Sequence, residues 1–245
     1  MKQVLVILCV GSLLGGCATL PPGEPVDYDP WEKQNRRMFR FNEAVDKATL
    51  KPIAKGYRKI IPEPVRNSVT NFSRNLGAPR NVVNNFLQGK PKRGVEEILR
   101  FVVNTTFGIG GLFDVATKSG LEPHPEGFGQ TAAVWGVPSG PYLMIPFLGP
   151  QTLRDVVLLP ANIELDIVHH LDESSVRDRL WGLRTIDVRH RVLSLEELLQ
   201  DSKDPYVSLR ESYLQNREFE IYDGDPPMDD EDEDLYDEFL EEEDY

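Results

Sequence analysis

Cysteine is scarce in this sequence. The 245-residue chain has two cysteines, Cys9 and Cys17, and both lie close to the N-terminus. After Cys17 there is no thiol for a disulfide, for a zinc site or for a catalytic nucleophile. The rest of the chain therefore has to be stabilised by burying apolar side chains, either in its own interior or in lipid.

The N-terminus has the pattern of a secretory signal. Lys2 is followed by an apolar run, Val4–Leu14, which is too short to span a bilayer, and then by Leu14-Gly15-Gly16-Cys17. This ending resembles a lipobox, so we expect Cys17 to be lipidated and to become the first residue of the mature chain. An ordinary signal peptide with a chance cysteine is the alternative. Ala18 follows, and resemblance to other lipoproteins then implies an outer-membrane, lipid-anchored, periplasm-facing protein.

Motifs for catalysis and for metal binding are also lacking. None of the four histidines belongs to a His-Glu-x-x-His pattern. Gly136–Gly140 contains a serine at the wrong spacing for a nucleophile elbow, and Gly108-x-Gly110-Gly111 lacks the strand-turn-helix context of a nucleotide loop. We expect no enzyme activity, no metal and no cofactor.

The formal charge of −13 comes from one segment. Residues 223–245 contain fourteen of the forty acidic residues and no Lys or Arg. We expect this tail to be disordered and solvated, with a role in binding a partner or cations as the alternative. Between Lys33 and Arg100, by contrast, sixteen basic residues face five acidic ones. On an exported chain this favours anionic headgroups or an acidic partner over nucleic acid, and a solvated face is the alternative.

The apolar pattern predicts a mainly helical chain, because no alternation with a period of two is sustained. The first helix is amphipathic and should start at Asp29-Pro30-Trp31-Glu32, with Asp29 as its N-cap. We divide the chain into a signal peptide (1–16), a lipidated linker (17–28), a helical domain (29–222) and the acidic tail (223–245). Further helices are expected near 65–76, 79–87 and 94–107, after Arg154-Asp155 through His170, near 192–199 with a Ser194-x-x-Glu197 box, and from Asp204-Pro205-Tyr206 to about Phe219.

Three features of the helical domain carry predictions of their own. Residues 98–103 are apolar around the helix apart from Arg100, which predicts burial in a core or in lipid. Gly127–Leu153 has no charge, and its four prolines exclude one continuous helix, so we expect a packed or re-entrant loop at a membrane interface. A buried core loop is the alternative. The third feature is a set of asparagines that either cap helix ends, which we favour, or face a polar cavity: Asn67, Asn71, Asn75, Asn81, Asn84 and Asn85.

Beyond these patterns, short motifs over roughly residues 29–222 resemble, in order, the MlaA (VacJ) lipoproteins. The matching residues are Asp29-Pro30-Trp31-Glu32, Asn35-Arg36, Met38-Phe39, Phe41-Asn42, Lys51-Pro52, Asn71-Phe72, Asn75-Leu76, Leu87-Gln88-Gly89, Arg100-Phe101, Asn104-Thr105, Gly108-x-Gly110-Gly111, Asp114-Val115-Ala116, Phe128-Gly129-Gln130-Thr131, Gly140-Pro141-Tyr142, Arg154-Asp155 and Asp204-Pro205-Tyr206.

The resemblance implies an all-α fold, a helical ring embedded in the inner leaflet of the outer membrane around an amphipathic channel. It implies a transport function: removal of mislocalised phospholipid from the outer leaflet and its transfer to a soluble periplasmic phospholipid carrier, which delivers it to the inner membrane. The implied partners are phospholipid, a trimeric porin and that carrier. A phospholipase or acyltransferase, and a scaffold that only binds porin, are the alternative functions.

The resemblance also implies channel residues. Phe41 and Asn42 match a position near the channel that influences lipid leakage, with plain helix packing as the alternative for Phe41. The turn with Gly108, Gly110 and Gly111 and the following residues 112–116 match a region near the channel mouth, although for the glycine turn we favour a structural hairpin between helices.

Overall fold

The computed structural model describes residues 29–194, 196 and 202–227. These residues form mainly helices, which confirms the all-α prediction apart from one two-stranded hairpin. The elements are α1 Glu32–Ala48, α2 Leu50–Ile60, α3 Glu63–Leu76, α4 Ala78–Leu87, α5 Pro91–Thr106, α6 Val115–Lys118, α7 Phe128–Val134, β1 Tyr142–Ile145, β2 Gly149–Thr152, α8 Leu153–Glu164, a 3₁₀ turn Ile167–His170, α9 Ser174–Arg191 and α10 Pro205–Ile221.

The start of α1 differs from the prediction. Trp31 holds the N-cap position without a side-chain hydrogen bond, and Asp29 lies buried outside the helix. The Asp29 carboxylate accepts hydrogen bonds from the side chains of Asn35, Tyr206 and Arg210. Asp29 as N-cap is therefore wrong, because partners distant in sequence take the acceptor that a local cap would have used.

Several helix predictions are confirmed. Helices α3 and α4 match the predicted 65–76 and 79–87, and α10 begins where Asp204 accepts hydrogen bonds from the backbone N–H groups of Tyr206 and Val207. The helix after Arg154 ends earlier than predicted, at Glu164. The predicted Ser194-x-x-Glu197 box lies partly outside the described residues. The signal peptide, the linker with Cys17, and the acidic tail from residue 228 onward lie entirely outside them.

Helices α2 and α9 were not predicted. Pro52 lies in the first turn of α2, where a missing N–H costs no hydrogen bond. In α9, apolar and charged side chains are distributed around the axis, so the helical period gives no clear apolar face.

The uncharged segment Gly127–Leu153 is more ordered than the predicted loop. It forms α7 and an antiparallel hairpin in which Tyr142 pairs with Thr152 and Ile145 pairs with Gly149. The loop prediction is thus wrong for most of this segment. Its prolines exclude a long helix but not a two-stranded hairpin, whose outer edges tolerate a missing N–H.

Helix α5 is inverted relative to an ordinary soluble helix. Its polar residues Glu97, Arg100 and Asn104 are buried, whereas one apolar stripe is 41–49% exposed. That stripe consists of Val95, Ile98, Leu99 and Val102. Burial around the whole helix, one of the two environments predicted for it, is wrong for the isolated chain, and contact of the stripe with lipid stays a prediction.

The inversion extends to the whole described region. Sixteen polar or charged residues are buried there against nine hydrophobic ones. The one apolar cluster, around Tyr142, Met144 and Tyr206, lies between α1, the hairpin and α10. Among the described helices, none combines the length and the apolar character needed to cross a membrane. The fold therefore encloses polar groups and turns apolar side chains outward.

Candidate functional site

A polar cavity of about 300 Å³ is the candidate site. Helices α3, α4 and α5 form most of its wall, and α9 contributes one arginine. The lining residues are Asn71, Arg74, Asn75, Gly77, Ala78, Arg80, Asn81, Glu97, Arg100, Phe101, Asn104, Asp114, Pro123, Pro125 and Arg184. Arginines, carboxylates and asparagine amides therefore surround a space large enough for a small ligand group.

The repeated asparagines serve this interior. No side chain caps α3, α4 or α5, so the capping prediction is wrong for these helices. Asn71, Asn75 and Asn81 line the cavity, which confirms the polar-cavity alternative for half of the set. The buried Asn84 accepts a hydrogen bond from Thr131, and Asn85 donates one to the carbonyl of His124.

Arg100 organises one side of the cavity. Its guanidinium donates to the hydroxyl of Thr117 at 2.9 Å and to the carbonyl of Leu121, and it lies 3.3 Å from Asp114. Burial alone would raise the pKa of Asp114, but hydrogen bonds from Thr117 and Asn104 and the charge of Arg100 outweigh it and hold this pKa below its usual range. Asp114 is thus ionised and fully engaged by its neighbours.

Glu97 lies three residues before Arg100 on α5 and organises the neighbouring part of the cavity wall. One oxygen accepts a hydrogen bond from the backbone N–H of His124 at 2.7 Å, and the other accepts one from Asn81 at 3.1 Å. Glu97 also lies 3.7 Å from the Arg100 guanidinium. Both carboxylates of the cavity therefore have partners within the protein.

The glycine turn lies at the edge of this cavity. Gly110 and Gly111 have φ angles of 69° and 94°, which L side chains rarely adopt. A Cβ on Gly111 would lie 2.5 Å from the Cβ of Asn75, and one on Gly108 would lie 2.2 Å from the Phe113 carbonyl oxygen. The turn thus packs tightly against a residue that lines the cavity, although a role in a channel stays a prediction for these three glycines.

Phe41 and Asn42 lie at the hairpin and are not among the residues that line the cavity. Asn42 donates to the Ile145 carbonyl and accepts from the Phe147 N–H, both at 2.9 Å. Phe41 contacts the ring of Phe147 edge-on, with centroids 5.6 Å apart. Asn42 therefore fixes the hairpin turn, and a channel role for either residue stays a prediction.

Clusters of His, Cys, Asp or Glu that could hold a metal ion are absent from the described part of the chain. The chemistry that the cavity offers is hydrogen bonding and charge pairing around a polar group. Apolar side chains on the outer surface, above all those of α5, complement it. A polar interior and an apolar exterior in one small body suit a ligand that is itself amphipathic.

Comparison with known proteins identifies this architecture. The profile of the MlaA lipoprotein family matches residues 27–220, most of the chain. The chain belongs to the MlaA lipoprotein family. Two intermembrane phospholipid transport system lipoproteins MlaA, from Shigella flexneri and from Escherichia coli K12, are each 38% identical over 226 residues, which is 89% of both chains. The Haemophilus influenzae MlaA is 31% identical and covers 91% of this chain and 92% of its own.

A solved structure supports the same assignment. It comes from work on the structural basis for maintenance of bacterial outer membrane lipid asymmetry, and its TM-score is 0.71 at 38% identity. The superposition covers 79% of this chain and 98% of the other. The MlaA family resemblance inferred from the short motifs is thereby confirmed.

Some residues of the cavity were not predicted from the sequence. Arg74, Arg80 and Arg184 line it, but none was predicted as a site residue. Arg184 belongs to α9, which had no clear periodic signal, and it reaches the cavity only through tertiary packing. Arg100 had a signal, since it was the one charge in an apolar helix segment.

Proposed function

We propose that this chain is a non-enzymatic phospholipid-transport lipoprotein of the outer membrane. It extracts mislocalised phospholipid from the outer leaflet through the polar interior and passes it to a soluble periplasmic carrier, which maintains lipid asymmetry. The names of the relatives and the subject of the solved structure support this transport function. The observation that carries the proposal is the polar cavity inside a body with an apolar exterior.

The physical argument concerns the headgroup. Moving a charged headgroup through hydrocarbon is costly unless protein groups replace its hydration. The cavity provides such groups, while the exposed stripe of α5 provides contacts for acyl chains. A ring of such helices lying in the inner leaflet would keep its apolar exterior in lipid and its polar interior connected to water.

The remaining assignments extend this proposal. Cys17 would carry the lipid that delivers the chain to the outer membrane, and residues 18–28 would link it to the helical domain at 29–222. The acidic tail would face the periplasm, where a carrier could meet it. A trimeric porin would be the partner in the membrane, and the glycine turn would lie at the channel mouth.

A clean deletion tests the transport function. We expect more phospholipid in the outer leaflet and greater sensitivity to detergent with a chelator, both restored by the wild-type chain. Unchanged outer-leaflet composition would contradict the proposal. Extraction of the native protein, followed by mass spectrometry of its lipid and protein partners, separates transport from a scaffold that only binds porin.

Incubation of the purified protein with labelled phospholipid tests the non-enzymatic character. Transport leaves the lipid intact, because no covalent bond is made or broken. Release of lysolipid or fatty acid would instead show a phospholipase.

A further inference from the structure

Two arginines from different helices converge in the wall of the polar cavity. Arg80 lies in the first turn of α4, and Arg184 lies on α9. A Cβ placed on Gly77 would lie 3.5 Å from Nη2 of Arg184 and 3.9 Å from Nη2 of Arg80. Arg74, at the end of α3, lines the same cavity. Two guanidinium groups therefore meet beside Gly77, and a third arginine, Arg74, belongs to the same cavity wall.

The charges of this group are only partly compensated. Arg184 forms an ion pair with the buried Asp166 at 2.5 Å. The cavity carboxylates Glu97 and Asp114 are engaged by the other partners described above. Within the described residues, the side chains of Arg74 and Arg80 have neither an ion pair nor a hydrogen bond.

Of Arg74 and Arg80, Arg80 has the more unusual surroundings. Its Nε atom is buried and has no hydrogen-bond partner among the described residues. Burial lowers the pKa of Arg80 most, the neighbouring charge of Arg184 lowers it further, and the carboxylate of Asp166 offsets part of this lowering. A desolvated cation beside another cation destabilises a fold unless an anion is bound next to it.

We propose that Arg80, together with Arg74, binds the phosphate of the transported phospholipid in this cavity. This inference rests on the proposed transport function and adds the group that the protein recognises. A guanidinium matches a phosphate through two parallel hydrogen bonds, and it does so better than an ammonium group.

Recognition of the phosphate would suit a transporter of several phospholipids. Every glycerophospholipid carries a phosphate, whereas the groups attached to it differ. Recognition of the phosphate would therefore accept lipids with different headgroups. Because Arg80 has no ion pair among the described residues, no carboxylate there would have to be displaced from it before a phosphate binds.

A binding experiment tests the inference on the full lipidated chain, stabilised in amphipol. Arg80→Gln removes the charge, and Arg58→Gln is the matched control, because Arg58 is exposed on α2 and does not line the cavity. Each protein is titrated calorimetrically with dihexanoyl phosphatidylglycerol, with dihexanoylglycerol and with sodium phosphate. We expect R80Q to bind the phospholipid about tenfold more weakly, R58Q to bind it like wild type, and dihexanoylglycerol to bind equally weakly to all three.

Stability provides the second readout. Since Arg80 has no ion pair or hydrogen bond among the described residues, we expect the melting temperature of R80Q to equal or exceed that of wild type. A purely structural Arg80 would instead give a lower melting temperature. If R80Q does not fold, Arg80→Lys and Arg74→Gln are measured in the same way, because lysine keeps the charge but loses the paired hydrogen bonds.

The other outcomes separate this inference from the proposed function. Equal phospholipid affinity in wild type and R80Q would overturn the phosphate site and leave the transport function standing. If inorganic phosphate bound as tightly as the phospholipid, the site would be one for free phosphate, and the proposed recognition of a lipid headgroup would be wrong. A wild-type protein that binds no phospholipid would overturn both proposals.

Discussion

At the scale of single residues, Asn42 holds the hairpin turn with both ends of its amide. Asn42→Ala removes the hydrogen bonds to Ile145 and Phe147, so we expect a loss of about 2 kcal/mol in the free energy of unfolding. Denaturant titration followed by circular dichroism measures it. Asn67→Ala is the control, since Asn67 is exposed on α3. Equal effects of the two substitutions would contradict the role of Asn42.

The ionisation of Asp155 makes the free energy of unfolding depend on pH. It is buried, and Arg217 lies 2.5 Å from one of its oxygens. Burial alone raises the pKa of Asp155, but the hydrogen bond and charge of Arg217, with help from Thr152 and Arg154, hold this pKa below its usual value of 3.8. A carboxyl with a lowered pKa stabilises the fold above its unfolded-state pKa, and this stabilisation is lost as the pH falls through the folded-state value.

Asp155→Asn should therefore cost about 3 kcal/mol at pH 7, because it removes one partner of a buried ion pair. The difference from wild type should begin to shrink below about pH 4, the ordinary pKa of Asp in an unfolded chain, and should be lost as the pH falls through the lower pKa of the folded protein. Unfolding measured at pH 7, 5 and 3 checks both statements. The exposed Asp178→Asn is the control, and a difference that stayed constant across this pH range would contradict the argument.

At the scale of elements, the turn after α5 depends on glycine for two separate reasons. Gly110 has a positive φ but open space around it, so Gly110→Ala should cost about 1 kcal/mol. Gly111→Ala adds a clash with Asn75 and should cost about 3 kcal/mol. Denaturant midpoints of the two variants give this ranking. Gly89→Ala, with φ +73° and open space, should match Gly110→Ala, and a Gly111→Ala variant as stable as both would contradict the packing against Asn75.

The inverted helix α5 shows why burial could not be predicted for it. Its sequence contains an apolar stripe and a few polar residues, and this pattern is the same whether the stripe faces a core or lipid. The buried contacts of Arg100 and Asn104 determine its direction. The polar side has a closed set of partners, and the apolar stripe is left outside.

At the scale of the whole molecule, the apolar exterior should bind membranes without the lipid anchor. We expect purified Cys17→Ser protein to float with phosphatidylethanolamine–phosphatidylglycerol vesicles. Adding Ile98→Glu should abolish most of this flotation, because a charge in hydrocarbon costs about 3 kcal/mol. The control is Lys92→Glu, at a side chain that is 90% exposed. Equal flotation of the two double variants would contradict lipid contact by α5.

Local sequence determined much of this protein. The apolar pattern predicted α3 and α4, the Asp204-Pro205-Tyr206 start predicted α10, and the ordered short motifs predicted the family. These features depend on neighbours within about one helical turn, or on residues kept in order along the chain. The order of residues along the chain contains all of this information.

Tertiary structure decided which face of each helix is inside. It took Asp29 away from a helix cap, made the uncharged segment a hairpin, and brought Arg80 and Arg184 together at Gly77. Each of these outcomes depends on a partner far along the chain, whose charge or hydrogen bonds compete with the local ones. A periodic pattern specifies that a helix has two faces, but only the packed neighbours determine that here the polar face is the interior.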